Sequence, residues 1–200
     1  MNTLETIKAR RAVKHYDANY QMPQADFDKL MDHALEAPTS FNLQNWRFVN
    51  VADKSLRAEI RQAAWDQAQV TDASLLFVLC ADVKAWDRNP ERYWKDAPQE
   101  AQDILVPMIK PFYEGKEQLQ RDEALRSVGI VAQTMMLTAK ALDYDSCPMI
   151  GFDADKVAEL INLPEDHMVG MLLVIGKATK PAWPKPGQLP LSDVLVTDKF

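Results

Sequence analysis

The chain has 200 residues, 47% of them apolar, enough for a substantial core in one domain spanning residues 1–200. Its formal charge of -6 and pI near 5.1 exclude a general nucleic-acid binder, because phosphate neutralisation needs a basic face. No charged-then-apolar leader occurs, nor any run near the roughly 18 apolar residues of a membrane span, so a soluble, cytoplasmic protein with no membrane partner is expected.

Residues 4–8 carry one or two helical turns, after which Lys8, Arg10, Arg11 and Lys14 put four cations within seven residues. Two readings fit: cations offsetting a helix C-terminus, or an anion site in which Arg supplies forked donors and Lys a point charge. In residues 24–36 the apolar side chains Phe27, Leu30, Met31, Ala34 and Leu35 recur at helical spacing. Pro38 ends that helix, since the residue before a proline is pushed out of the α region. The loop that follows is dense in short polar groups, Thr39, Ser40, Asn42, Gln44 and Asn45. It is either an ordinary connection or a ligand loop rich in donors and acceptors. Residues 47–51 read as a strand, and residues 55–69 as a helix capped by Ser55 with Leu56, Ile60, Ala63, Ala64 and Trp65 on its apolar side. Residues 75–81 are continuously apolar, the pattern of a central strand buried on both faces.

Between 83 and 123 the composition changes. Trp86, Tyr93, Trp94, Phe112 and Tyr113 sit among charges and Pro90, Pro98, Pro107 and Pro111, which should keep helices short or kinked. This is an excursion with little core of its own, whose aromatic residues pack it or roof a pocket. Residues 124–142 form a long helix buried nearly all round. In 143–153, Asp153 caps a helix over 154–161, and Gly151 lets another group approach the backbone beside outward-pointing N–H groups. Residues 170–177 give a third buried strand. The stretch 178–200 contains Pro181, Pro184, Pro186 and Pro190, so it should run extended and stay ordered only by packing along something.

Several chemistries fall away. Cys80 and Cys147 have neither disulfide nor metal spacing and read as buried thiols. His15, His33 and His167 lack ligand spacing, so no metal is expected. No Gly-x-Gly-x-x-Gly, P-loop or nucleophile elbow occurs. No side chain stands out as a catalytic acid or base; an enzyme built on this chain would borrow its chemistry from a cofactor.

Four patterns in register, Arg10-Arg11-Ala12-Val13-Lys14, Pro38-Thr39-Ser40-x-Asn42-x-Gln44-x-Trp46, Asp72-Ala73-Ser74 and Cys147-Pro148-Met149-Ile150-Gly151, resemble the flavin-dependent nitroreductase family over nearly the whole chain. The resemblance implies an α+β homodimer with a central mixed sheet flanked by helices and a C-terminal arm (178–200) exchanged between subunits. FMN would lie at the interface, reduced by NADH or NADPH and reoxidised by a small-molecule oxidant such as a nitroaromatic or quinone in a ping-pong cycle. By the family pattern, Arg10, Arg11, Ala12 and Lys14 hold the phosphate, and Pro38, Thr39, Ser40 and Asn42 reach the flavin from the partner chain. Pro148, Met149, Ile150 and Gly151 lie beside the ring, Gln67 and Gln69 meet its pyrimidine edge, and Lys185 stands in for part of a C-terminal phosphate clamp. Phe41, Trp94 and Phe112 are the candidates for the substrate pocket. Three departures stand out: Ala12 where serine is common, Gln188 where the clamp carries a cation, and Ile150 where some members have a polar residue. Enone reduction, dehalogenation or flavin destruction on the same scaffold, and a non-catalytic docking module, are the rival readings.

Overall fold

The computed structural model describes residues 1–200, and its centre is the apolar run read above as a central strand. That strand, β2 (Leu75–Asp82), pairs with β1 (Trp46–Asn50) on one side and with β4 (His167–Gly176) on the other. Beyond β4 lies β3 (Asp145–Met149), giving the order β1-β2-β4-β3. Where a mixed sheet was expected, all three strand pairings are antiparallel. A parallel component is confined to the isolated bridge between Ala12 and Ser146.

Side chains alternate across a strand, and both faces of β2 are covered. Phe77, Leu79 and Ala81 join Leu173 and Ile175 under α2 (Gln24–Ala34) and α6 (Glu117–Ala141). Leu76, Val78 and Cys80 join Leu172 and Val174 under α3 (Lys54–Ala63) and α7 (Ala154–Leu160). Burial on both faces is why β2 reads as an unbroken apolar run. The same burial pushes the Cys80 thiol up to about 12.

Five local expectations change. β3 had no counterpart in the sequence reading of 143–153; it contains Pro148, which an edge strand tolerates, since one side of its backbone needs no partner. Asp53, not Ser55, caps α3, accepting from the Leu56 N–H at 2.7 Å. That helix stops at Ala63 because Trp65 and Asp66 turn left-handed, at φ 55° and 58°. Trp65 therefore leaves the expected apolar stripe and stands 70% exposed, ahead of the short α4 (Gln69–Asp72). The excursion holds α5 (Gln99–Tyr113), a 15-residue helix that keeps both Pro107 and Pro111. α6 follows from Glu117 rather than 124, after a turn with Gly115 at φ 71°.

The excursion also has a small core, Trp86, Ile109 and Tyr113, completed by Leu43 from the polar loop. At the N-terminus α1 (Thr3–Ala9) is held by a capping box between Asn2 and Glu5. The arm 178–200 is exposed almost throughout, with only the short α8 (Leu191–Val194) in it. No helix is long and apolar enough to cross a membrane.

Candidate functional site

The sequence-derived residues gather into two groups at opposite edges of the sheet. The first lies along β3. Ala12 bridges to Ser146, and the Val13 N–H donates to the Ser146 carbonyl at 3.1 Å, so the basic segment runs beside the edge strand. Arg10 and Lys14 approach Cys147 closely enough to pull its thiol pKa down, against the larger upward effect of burial. Arg11 donates to the Trp183 carbonyl, bringing the start of the C-terminal arm, and with it Lys185 two residues on, toward the same cations.

β3 delivers the chain to Ile150, which is 82% exposed, and to Gly151. A Cβ on Gly151 would stand 3.0 Å from the Trp65 ring, so a larger residue there would push that exposed ring aside. Gln67 ties the turn down: its amide donates to the Gly151 carbonyl at 2.8 Å and to the Ala64 carbonyl at 3.1 Å. Its own carbonyl accepts from Gln69 at 3.0 Å. Both Gln67 donors are thus engaged within the protein, whereas Gln69 keeps an amide hydrogen and its carbonyl oxygen for another partner. Pro148, Ile150, Gly151, Gln67 and Gln69 therefore lie together, whereas the Met149 side chain is buried in the core beneath α3 and α7.

The second group lies before β1. Ser40 and Asn42 belong to a single 3-10 turn in which Phe41 and Asn42 have positive φ, 51° and 54°. Those left-handed residues are rare outside glycine and are held by the surroundings. The Thr39 hydroxyl accepts from the Gln44 N–H at 2.9 Å, and Asn42 donates to the Tyr93 carbonyl at 2.7 Å. Trp94 donates from its ring nitrogen to the Phe41 carbonyl at 3.0 Å. Phe41 and Phe112 stand 5.3 Å apart, centroid to centroid. Phe41, Trp94 and Phe112 are thus brought together, with Phe112 42% exposed. Ser40 also stands close enough to Tyr113 to lower its hydroxyl pKa, although burial, the larger effect, raises it.

A buried charge cluster missed in the sequence fixes this second group to the sheet. Asp82, at the end of β2, is fully buried and accepts from Arg47 at 2.8 Å, with Arg88 at 3.6 Å and the His167 ring at 3.8 Å. Arg47 also donates to the Gln44 carbonyl at 2.7 Å, and Arg88 pairs with Asp166. His167 contacts Asp166 at 2.7 Å through Nδ1. Its pKa is lowered chiefly by burial, with Arg47 and Arg88 adding to the effect and Asp82 opposing it. The sequence signal was available: one aspartate closing an otherwise apolar strand needs a cation nearby.

Three strand spacings separate β1 from β3, about 14 Å at roughly 4.8 Å each. Taken alone, the first group supplies cations, an amide with spare capacity and an exposed turn. That set fits a flat heteroaromatic ring carrying a phosphate.

A model of the nitroreductase family matches residues 7–177. DrgA of Synechocystis sp. is 50% identical, over 100% of this chain and 97% of its own length. YodC of Bacillus subtilis, provisionally named an NAD(P)H nitroreductase, is 34% identical, over 96% of this chain and 97% of its own. Among solved structures, one from Exiguobacterium sibiricum, provisionally described as a nitroreductase in complex with FMN, superposes with a TM-score of 0.90. It is 31% identical, with 98% of this chain and 97% of that one covered.

Proposed function

This chain belongs to the nitroreductase family, and from that premise we propose that it is an FMN-dependent oxidoreductase using NADH or NADPH to reduce nitroaromatic, quinone or related acceptors. The observation that carries the reading is the convergence of Arg10, Arg11 and Lys14 with the exposed turn at Ile150 and Gly151 along β3. In a chain of net charge -6, such a cluster beside a wall of amides suits a phosphorylated ring. When bound, FMN supplies the two-electron relay between nicotinamide and acceptor. Arg10, Arg11, Lys14 and Lys185 neutralise the phosphate, Arg by forked donors and Lys as point charges. Gln69 matches the ring's donor and acceptor edge, and Gln67 holds the Gly151 carbonyl so that the turn keeps one geometry. Backbone donors of that turn would favour negative charge on a reduced ring held beside it.

The other half of the site comes from a second copy. In this reading a two-fold axis would bring the Pro38–Asn42 loop and the Phe41, Trp94 and Phe112 side chains of one protomer over the β3 edge of its partner, giving two composite sites. The arm supports this assembly: Leu189, Leu191, Val194, Leu195 and Phe200 are all exposed, an apolar set without a partner in the single chain. Laid across a second protomer, the arm would give an interface above about 2,000 Å², the obligate class. Residues 1–200 act in this reading as one FMN-binding domain.

A spectrum of the purified protein tests the reading. The expected result is a yellow protein with about one FMN per chain, bleached anaerobically by NADH or NADPH and restored by a quinone or nitroaromatic. Parallel double-reciprocal lines should accompany it, because donor and acceptor would occupy the same space in turn. A colourless protein that rejects added FMN would falsify the assignment.

A further inference from the structure

Between the loop before β1 and residues 92–97 lies a cleft of about 730 Å³, lined by Asn42, Gln44, Arg92, Trp94, Lys95 and neighbouring residues. It begins at the side chains assigned above to the second half of the site, for Asn42 and Phe41 are bonded to Tyr93 and Trp94 across its floor. Arg88, four residues before Arg92, is tied to both Asp82 and Asp166.

The cleft carries two cations three residues apart. The Arg92 guanidinium lies 4.6 Å from the Tyr93 ring centroid and donates to the Tyr93 hydroxyl at 2.5 Å. These contacts hold the guanidinium beside the ring while Arg92 stays exposed to solvent. Lys95 is 74% exposed, with its ammonium 4.0 Å from the Asp96 carboxylate, the one acidic group in the lining. The lining thus has an excess of one positive charge, in a chain whose net charge is -6.

A nicotinamide dinucleotide whose ring lay at the flavin would have to place its adenosine end away from that ring, and this cleft adjoins Asn42, one of the residues proposed above to meet the flavin. NADPH differs from NADH by a ribose phosphate of charge about -1.5 to -2 near neutral pH. A neutral cleft would accept the two donors alike, whereas an arginine fork and a lysine point charge favour the phosphate. We propose that Arg92 and Lys95 recognise the 2′-phosphate of NADPH, with adenine stacked on the Arg92 guanidinium, and that NADPH is the preferred hydride donor. The proposal rests on the flavoenzyme reading, which left the two donors undistinguished.

The test uses the purified dimer and two hydride-free probes, adenosine 2′,5′-bisphosphate and adenosine 5′-monophosphate, with affinities measured by calorimetry. The bisphosphate should bind about tenfold tighter or more, the scale of one charge-assisted contact. Arg92→Ala with Lys95→Ala should erase that difference while leaving FMN content and the unfolding midpoint unchanged. In turnover the same double variant should lose about tenfold more kcat/KM with NADPH than with NADH. Equal affinity of the two probes for the wild type, or discrimination that survives the double variant, overturns the proposal. The probe arm needs no electron transfer: a protein that discriminates the probes but binds no FMN would keep this cleft assignment and sink the flavoenzyme reading.

Discussion

Along β3 the sheet itself builds the site: the basic segment bridges to Ser146, the turn at Ile150 and Gly151 continues the strand, and Gln67 ties that turn to the end of α3. Before β1 the site is carried by a loop with three positive-φ residues, Phe41, Asn42 and Gln44, and by an excursion with its own small core, held to the sheet through buried Asp82. The first edge derives its chemistry from charges exposed for a ligand. The second derives its geometry from charges already paired inside the protein. The same kind of residue, arginine, is proposed as a ligand group at Arg11, which has no carboxylate partner, and is a structural strut at Arg47, whose partner Asp82 is buried. Substitutions at the two edges should therefore fail in different ways.

The largest separation is expected from Arg11→Glu. Replacing a phosphate partner by a like charge removes attraction and adds repulsion, so FMN affinity should fall about a hundredfold or more. The unfolding midpoint of the apo-protein should stay near that of the wild type, since Arg11 is bonded only to the arm through Trp183. Lys54→Glu is the surface control. Equal FMN retention in both variants would remove Arg11 from the phosphate site.

Asp82→Ala should show the reverse. Removing a fully buried carboxylate deprives Arg47 and Arg88 of their shared partner, at a cost of about 2–3 kcal/mol, less than for a fully buried pair because both arginines reach solvent and Arg88 keeps Asp166. Urea unfolding should record that loss, and acceptor KM should rise as the Gln44 end of the loop loosens, with FMN affinity changed far less. A variant as stable as the wild type would show that the cluster does not anchor the second edge.

A smaller effect concerns pH. The His167 pKa in the folded protein lies below its unfolded value of about 6.5. Below that pH the unfolded chain binds the extra proton first, so this histidine's contribution is complete above about 6.5 and is lost as pH falls toward the folded pKa. The groups facing it are Asp82, Asp166, Arg47 and Arg88. Unfolding midpoints at about pH 7.5 and about pH 5.5 should differ more in the wild type than in His167→Gln. Identical differences would mean that the cluster does not sense this proton.

The sequence made the first edge more legible than the second. β2 was readable because burial on both faces leaves an unbroken apolar run, and the cations from Lys8 to Lys14 stood out in an acidic chain. β3 was hidden by Pro148, a strand breaker everywhere except at an edge. Trp65 was placed on a helix face because periodicity carries no warning of the left-handed pair Trp65 and Asp66 that ends the helix. The excursion was harder still. Its prolines argued for short helices, yet packing of Ile109 and Tyr113 against Trp86 and Leu43 holds α5 together across both. Pairings such as Asp82 with Arg47, 35 residues apart, leave no local pattern.

The account's central claim, that each site is shared between two chains, is tested most directly by complementation. One chain carries Arg10→Glu and Arg11→Glu; the other carries Ser40→Trp, whose ring should block the flavin. Each homodimer should be folded, colourless and inactive. In the heterodimer one site collects both defects and the other collects neither. The isolated heterodimer should then bind about one FMN per dimer and recover about half the wild-type activity, provided the two sites act independently. A heterodimer that stays empty while both homodimers are folded would contradict the account and place each site within a single chain.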